Sequence, residues 1–153
     1  MNGAHKINII KAAKCYAERI FQEDCSGHDF FHTMRVYRMA TYLAEQEHAD
    51  VFIVQLAALL HDVDDRKLSP ETYINKDRAV SFMKSHAVSD NLCKTIVAII
   101  EQVSYAGNNA AAPASIEDKC VQDADRLDAL RAIGIARAFA YGGAATGSCI
   151  IRQ

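Results

Sequence analysis

The segment LAALLHDVDDRK, residues 56–67, runs an unbroken apolar stretch straight into a histidine and an aspartate. Leu56, Ala57, Ala58, Leu59 and Leu60 gain from leaving water, whereas His61 and Asp62 lose by it unless they find partners. Asp64 and Asp65 stand directly behind. Any fold that buries the run therefore carries an imidazole and a carboxylate to the edge of its core. A helix end followed by a solvated turn would accommodate this pattern. So would a core built to deliver a pair of metal ligands.

The rest of the chain is patterned as helix. Two prolines occur, Pro70 and Pro113, and alternating apolar and polar runs of strand length are hard to find. The periodicity predicts helices over about 5–22, 28–48, 50–62, 70–86, 89–105, 115–131 and 133–141. In KLSPETY, Ser69 is expected to cap the fourth helix, with Pro70 in its first turn and Glu71 near the positive end of its dipole. YAGNNAAAPASIEDK is the one convincing irregular loop, after which Ser115 is placed to cap a helix with Asp118 three residues on. A chain of 153 residues has the size of one domain, so the expectation is a single all-α bundle of six or seven helices over 1–153.

Composition removes several function classes. Seventeen Lys and Arg face nineteen Asp and Glu, for a net charge of -2, and no basic block stands out, so a nucleic-acid polymer is not an expected partner. The apolar runs are too short for a membrane span, and MNGAHKINII lacks the charged-then-apolar design of a secretion leader. A cytoplasmic protein is expected. Cys15, Cys25, Cys93, Cys120 and Cys149 are odd in number and form no CxxC pair, which argues for reduced thiols rather than a disulfide scaffold or zinc ribbon.

Three predicted helices carry polar residues on apolar faces. His32 lies four residues before Val36 on the stripe Val36, Met39, Ala40 and Leu43. His61 continues the stripe Ile53, Val54, Ala57 and Ala58. Asp125 is flanked by Val121 and Ala124, with Asp128 three residues on. Singly, each is most simply a satisfied core group. Together, two inward histidines and several inward carboxylates on three helices are expensive to bury without a shared partner, and one divalent cation supplies it. Two choices stay open on spacing alone: His28 lies one turn before His32, and DADRLD also offers Asp123 and Asp128.

GHDFFHTMRV, LLHDVDD and VQDADRLDALRAIGIARAFA, in that order, resemble the HD superfamily of metal-dependent phosphohydrolases, and within it the bacterial stand-alone HD hydrolases of the YpgQ and YedJ type. The likeness covers roughly residues 25 to 142. It implies an all-helical domain whose metal ligands are His32, His61, Asp62 and Asp125, with Asp123 the next candidate after Asp125. An N2O2 set with open positions suits one divalent ion of the Mn, Mg, Fe, Co or Ni kind better than a closed zinc site. Hydrolysis of a phosphate ester or anhydride follows naturally from such a centre.

The expected substrate is a small phosphorylated molecule, foremost a nucleotide. Asp65, one turn past the His-Asp pair where many of these hydrolases have Glu, is nominated beside Asp62 as the catalytic carboxylate that handles the proton. Arg35, His28 and Lys67 are nominated for the substrate phosphate, Arg35 alternatively bracing Asp62 or Asp125. Lys76 and Arg78 would line the cleft rim, and Asp64 is expected to be solvated or to stand behind the ligands. Chains of this kind generally run on past the point where this one stops. A short C-terminus would leave an apolar face and favour a homodimer. It also keeps alive a competing expectation, a non-catalytic metal-binding or nucleotide-sensing domain. A di-iron oxygenase is less expected, since no extra ligand pair stands between the motifs.

Overall fold

The computed structural model describes residues 1–22, 29–66, 69–103, 113–130, 134–136 and 139. Among them stand six helices: α1 (Gly3–Ile20), α2 (Phe30–Gln46), α3 (Val51–Leu60), α4 (Asp77–Ser85), α5 (Asp90–Val103) and α6 (Ile116–Leu130). The described residues contain no strand, so the all-α expectation holds. Five of the expected spans match to within less than a turn. Of the expected seventh, 133–141, only residues 134–136 and 139 are described, and these are helical.

Polar caps set most of the starts. Asn2 accepts from the His5 N–H, Asp29 from that of His32 at 2.6 Å, and Asp50 from those of Phe52 and Ile53. Ser115 Oγ accepts from the Asp118 N–H at 3.1 Å, and Asp118 returns a carboxylate oxygen to the Ala114 N–H at 3.0 Å. This is the expected capping box with its reciprocal arm displaced by one residue.

The fourth helix departs from expectation. Residues 70–76 form turns, and α4 begins only at Asp77. Ser69 is buried and does not cap it; its Oγ lies 3.4 Å from the Val63 carbonyl, to which it donates. The cap comes instead from far upstream. Asp64 is fully buried, and its two oxygens accept from the Arg78 N–H at 3.1 Å and the Ala79 N–H at 2.9 Å. One carboxylate thus satisfies two of the orphan donors of the first turn and places negative charge at the positive end of the dipole. The helix starts where Asp64 reaches it, not at the local Ser-Pro signal. Asp64 is therefore a buried cap, neither solvated nor behind the ligands.

α3 lies at the centre, packed by α1, α2, α5 and α6. Val54, Leu56, Ala57, Ala58, Leu59 and Leu60 are fully buried, the pattern of a helix surrounded on all sides. Each leucine contributes roughly 1.5–3 kcal/mol by leaving water. Such an anchored helix leaves its C-terminal residues little freedom of position. On α2 the buried residues are His32, Thr33, Val36, Ala40 and Ala44, with Met39 and Leu43 half-buried against them. Cys93 and Cys120 are buried free thiols and Cys15 is exposed, while Cys25 and Cys149 lie outside the described residues. Among the described residues no helix is long and apolar enough to cross a membrane.

Candidate metal centre

The Asp29 cap fixes the first turn of α2, and His32 occupies that turn with 1% of its surface exposed. His61 directly follows α3 and is 5% exposed. Asp62 is next, and α6 brings Asp125 and Asp128 to the same place. Three separate helices thus converge on two imidazoles.

Hydrogen bonds decide which nitrogen of each ring carries the proton. His32 Nδ1 lies 2.8 Å from Asp128 Oδ2. Asp128 also accepts from Arg35, at 2.7 Å to Nε and 3.1 Å to Nη2. Burial pushes the Asp128 carboxyl up, but the Arg35 and His32 bonds and charges overcome it and hold its pKa down at about 2. Asp128 is therefore a carboxylate that can only accept, so Nδ1 of His32 carries a proton, and in the neutral ring Nε2 keeps its lone pair. His61 Nδ1 lies 2.8 Å from the Ala58 carbonyl. A carbonyl likewise only accepts, and Nε2 of neutral His61 is a lone pair too.

Both lone pairs face carboxylate oxygens. His32 Nε2 is 3.4 Å from Asp62 Oδ2 and 3.3 Å from Asp125 Oδ1; His61 Nε2 is 3.1 Å and 4.0 Å from the same two atoms. Four acceptors crowded in this way repel unless something positive lies among them. Among the described residues, His61 Nε2 is buried and makes no hydrogen bond. Burial pushes the His61 pKa down, yet Asp62 and Asp125 more than offset this and raise it. The same site therefore attracts either a proton or a cation. One ligand atom each from His32, His61 and Asp62 lies within 4.8 Å of the other two, close enough to ligate one ion. The donor set fits a divalent metal.

Asp125, at 30% side-chain exposure, stands beside this group of three, its Oδ1 next to His32 Nε2, whereas Asp123 is exposed. Asp65 is half-buried in the turn after Asp62, its N–H bonded to the Asp62 carbonyl and its carbonyl accepting from Ser69. Arg35 braces Asp128 rather than Asp62 or Asp125. His28 and Lys67 lie outside the described residues. Arg78 pairs with Glu71 at 3.3 Å, and Lys76, expected at an open rim, is 4% exposed. The role of Asp128 was not apparent from the sequence, although a signal existed: Arg35 follows His32 by three residues, and Asp128 follows Asp125 by three. Two helices offset by one turn each could supply a ligand and its support.

Comparison with known proteins places these features in company. The family model described as HD domain matches residues 29–130. The Bacillus subtilis protein YpgQ is 41% identical over 133 residues, which are 86% of this chain and 65% of YpgQ. This chain thus spans just under two thirds of that relative. Its fold is similar to the crystal structure of a Lactobacillus plantarum protein, with a TM-score of 0.78 and 34% identity over 99% of this chain and 68% of that one. YpgQ in complex with ADP gives 0.74 and 35%, covering 94% of this chain and 72% of that one. An HD-superfamily hydrolase from Bacillus thuringiensis gives 0.72 and 42%, covering 92% and 68%.

Proposed function

Because the chain belongs to the HD domain family, we propose that it is a metal-dependent phosphohydrolase cleaving a phosphate ester or anhydride of a nucleotide. The observation that carries this reading is the pair of Nε2 lone pairs on His32 and His61, held by Asp128 and by the Ala58 carbonyl so that they face two carboxylates. The YpgQ complex with ADP supports a nucleotide as the small phosphorylated substrate.

In this reading His32, His61, Asp62 and Asp125 hold one divalent ion. When bound, such an ion lowers the pKa of water and draws charge from a phosphoryl oxygen. The chain's own contributions are distinct. Asp128 and Arg35 keep His32 in one tautomer and one orientation, the kind of outer support that typically changes metal affinity by about 10–100-fold. Asp62 would hold the ion, and Asp65, a half-buried carboxylate in the adjoining turn, would accept the proton of an attacking water. His28 and Lys67 remain the nominated phosphate contacts. One HD domain in the cytoplasm, able to pair as a homodimer, completes the reading.

The test is phosphate release from nucleoside mono-, di- and triphosphates with Mn, Mg, Fe, Co and Ni. Turnover with at least one metal, lost on chelation and restored by readdition, is the expected result. Bound metal with a nucleotide-dependent rise in Tm but no turnover would instead favour a sensing domain.

A further inference from the structure

Lys76 is a buried cation that pairs with no anion among the described residues. It is 4% exposed, and its Nζ sits 3.9 Å from the centroid of the Tyr73 ring. Asp64, Glu101, Asp65 and Asp62 all act on it electrostatically, yet among the described residues it makes no salt bridge or hydrogen bond. Asp64 is already committed to the α4 amides, and Asp62 turns an oxygen towards the two histidines. Glu101 is exposed. Burial depresses the lysine's pKa, the carboxylates opposing this only in part. Holding an ammonium in such a place is unfavourable when no anion pairs with it.

The backbone fixes where that ammonium stands. Lys76 has φ 52° and ψ 43°, and like His48 and Ala87, which also have positive φ, it closes a helical turn: the Asp77 N–H bonds back to the Thr72 carbonyl as Ala49 does to Ala44 and Val88 to Met83, the usual place for such a residue. Asp64 pins the turn that follows through the Arg78 and Ala79 N–H groups, which holds Lys76 beside the 62–65 segment.

A cation at the His32 centre and an ammonium at Lys76 share the Asp62 and Asp65 side of the molecule, and a multiply charged anion between them relieves both. We infer that Lys76 is a substrate-binding residue whose ammonium contacts a phosphoryl oxygen of the bound nucleotide. The inference rests on the phosphohydrolase reading above and deepens it. Tyr73 positions the ammonium by its ring face, a contact that needs no competing anion. A charge-assisted bond of this kind serves phosphate and leaves the nucleoside unaffected.

The test uses Mn-loaded full chain and ADP as the probe, with adenosine as control. Lys76→Met keeps the apolar stem and removes the charge. It is expected to weaken ADP roughly ten- to hundredfold while Mn content and any adenosine affinity stay as in wild type and Tm is unchanged or raised. In the unmutated protein loaded with Mg, ADP is expected to shift the Lys76 side-chain resonance of 13C-lysine-labelled chain, assigned by its loss in Lys76→Arg, and adenosine is not; this arm decides the matter if Lys76→Met does not fold. An unchanged ADP affinity in folded Lys76→Met, or an unshifted Lys76 resonance with ADP bound, overturns the inference alone. A wild type that binds neither ADP nor pyrophosphate with Mn, Mg, Fe, Co or Ni brings down the phosphohydrolase reading and the inference with it.

Discussion

His32 and His61 offer the same nitrogen to the same two carboxylates, but the regions that hold them differ. On the α2–α6 seam, His32 is steadied by side chains: Asp128 takes its Nδ1, and Arg35 grips Asp128 through two bonds. At the end of α3, His61 is steadied by the carbonyl of Ala58, one turn back on its own helix, in a segment with no exposed surface. The first arrangement can be tuned by mutation and titrated by acid. The second is written into the backbone and yields only if α3 moves. One half of the centre therefore has an adjustable support and the other a rigid one.

The largest effect should come from removing either imidazole. His32→Ala and His61→Ala are each expected to lose bound Mn by elemental analysis and to cut any hydrolysis on the order of 1,000-fold, the scale of several kcal/mol of charge stabilisation. Here the two regions behave alike, since each supplies one ligand. Next, Asp128→Asn separates them. It leaves both imidazoles in place but weakens the grip on His32, so calorimetric titration with Mn should show about 10–100-fold lower affinity with a stoichiometry still near one. No side-chain substitution has a corresponding effect on His61.

Acid sharpens the contrast further. The Asp128 carboxyl is held at about 2, below its ordinary 3.8. A depressed folded pKa means that the stabilisation is fully present above the ordinary value and is lost as pH falls through the folded one. Metal-free protein should therefore shed on the order of 2 kcal/mol between about pH 4 and pH 2, and Asp128→Asn should lack that component of the Tm profile. The smallest effect belongs to the α6 cap. Ser115→Ala is expected to cost about 1 kcal/mol, or about 2–4 °C in Tm, with Mn stoichiometry unchanged.

The same contrast separates what could be read in the sequence from what could not. Helix type and extent followed from periodicity because α2, α3 and α6 each bury one face or more, and the inward placement of His32 and His61 came with it. Local capping was legible at Ser115, whose partners are neighbours. It failed at Ser69, because α4 is capped by Asp64 from fourteen residues away. Asp128 was hidden for a related reason. Its partners lie 93 and 96 residues off, and no pattern within α6 distinguishes a carboxylate that binds a histidine from one that binds an ion. The burial of Lys76 depends on turns at 70–76 that replaced an expected helix. Long-range polar pairing was the part the periodicity could not carry.

The central claim is that the rigid and the adjustable half hold one ion between them. Anomalous diffraction at the manganese edge, from crystals grown with Mn, tests it directly. The account predicts a single strong peak about 2.0–2.3 Å from His32 Nε2, His61 Nε2 and oxygens of Asp62 and Asp125. A peak elsewhere, or none among these four residues at saturating Mn, would contradict it.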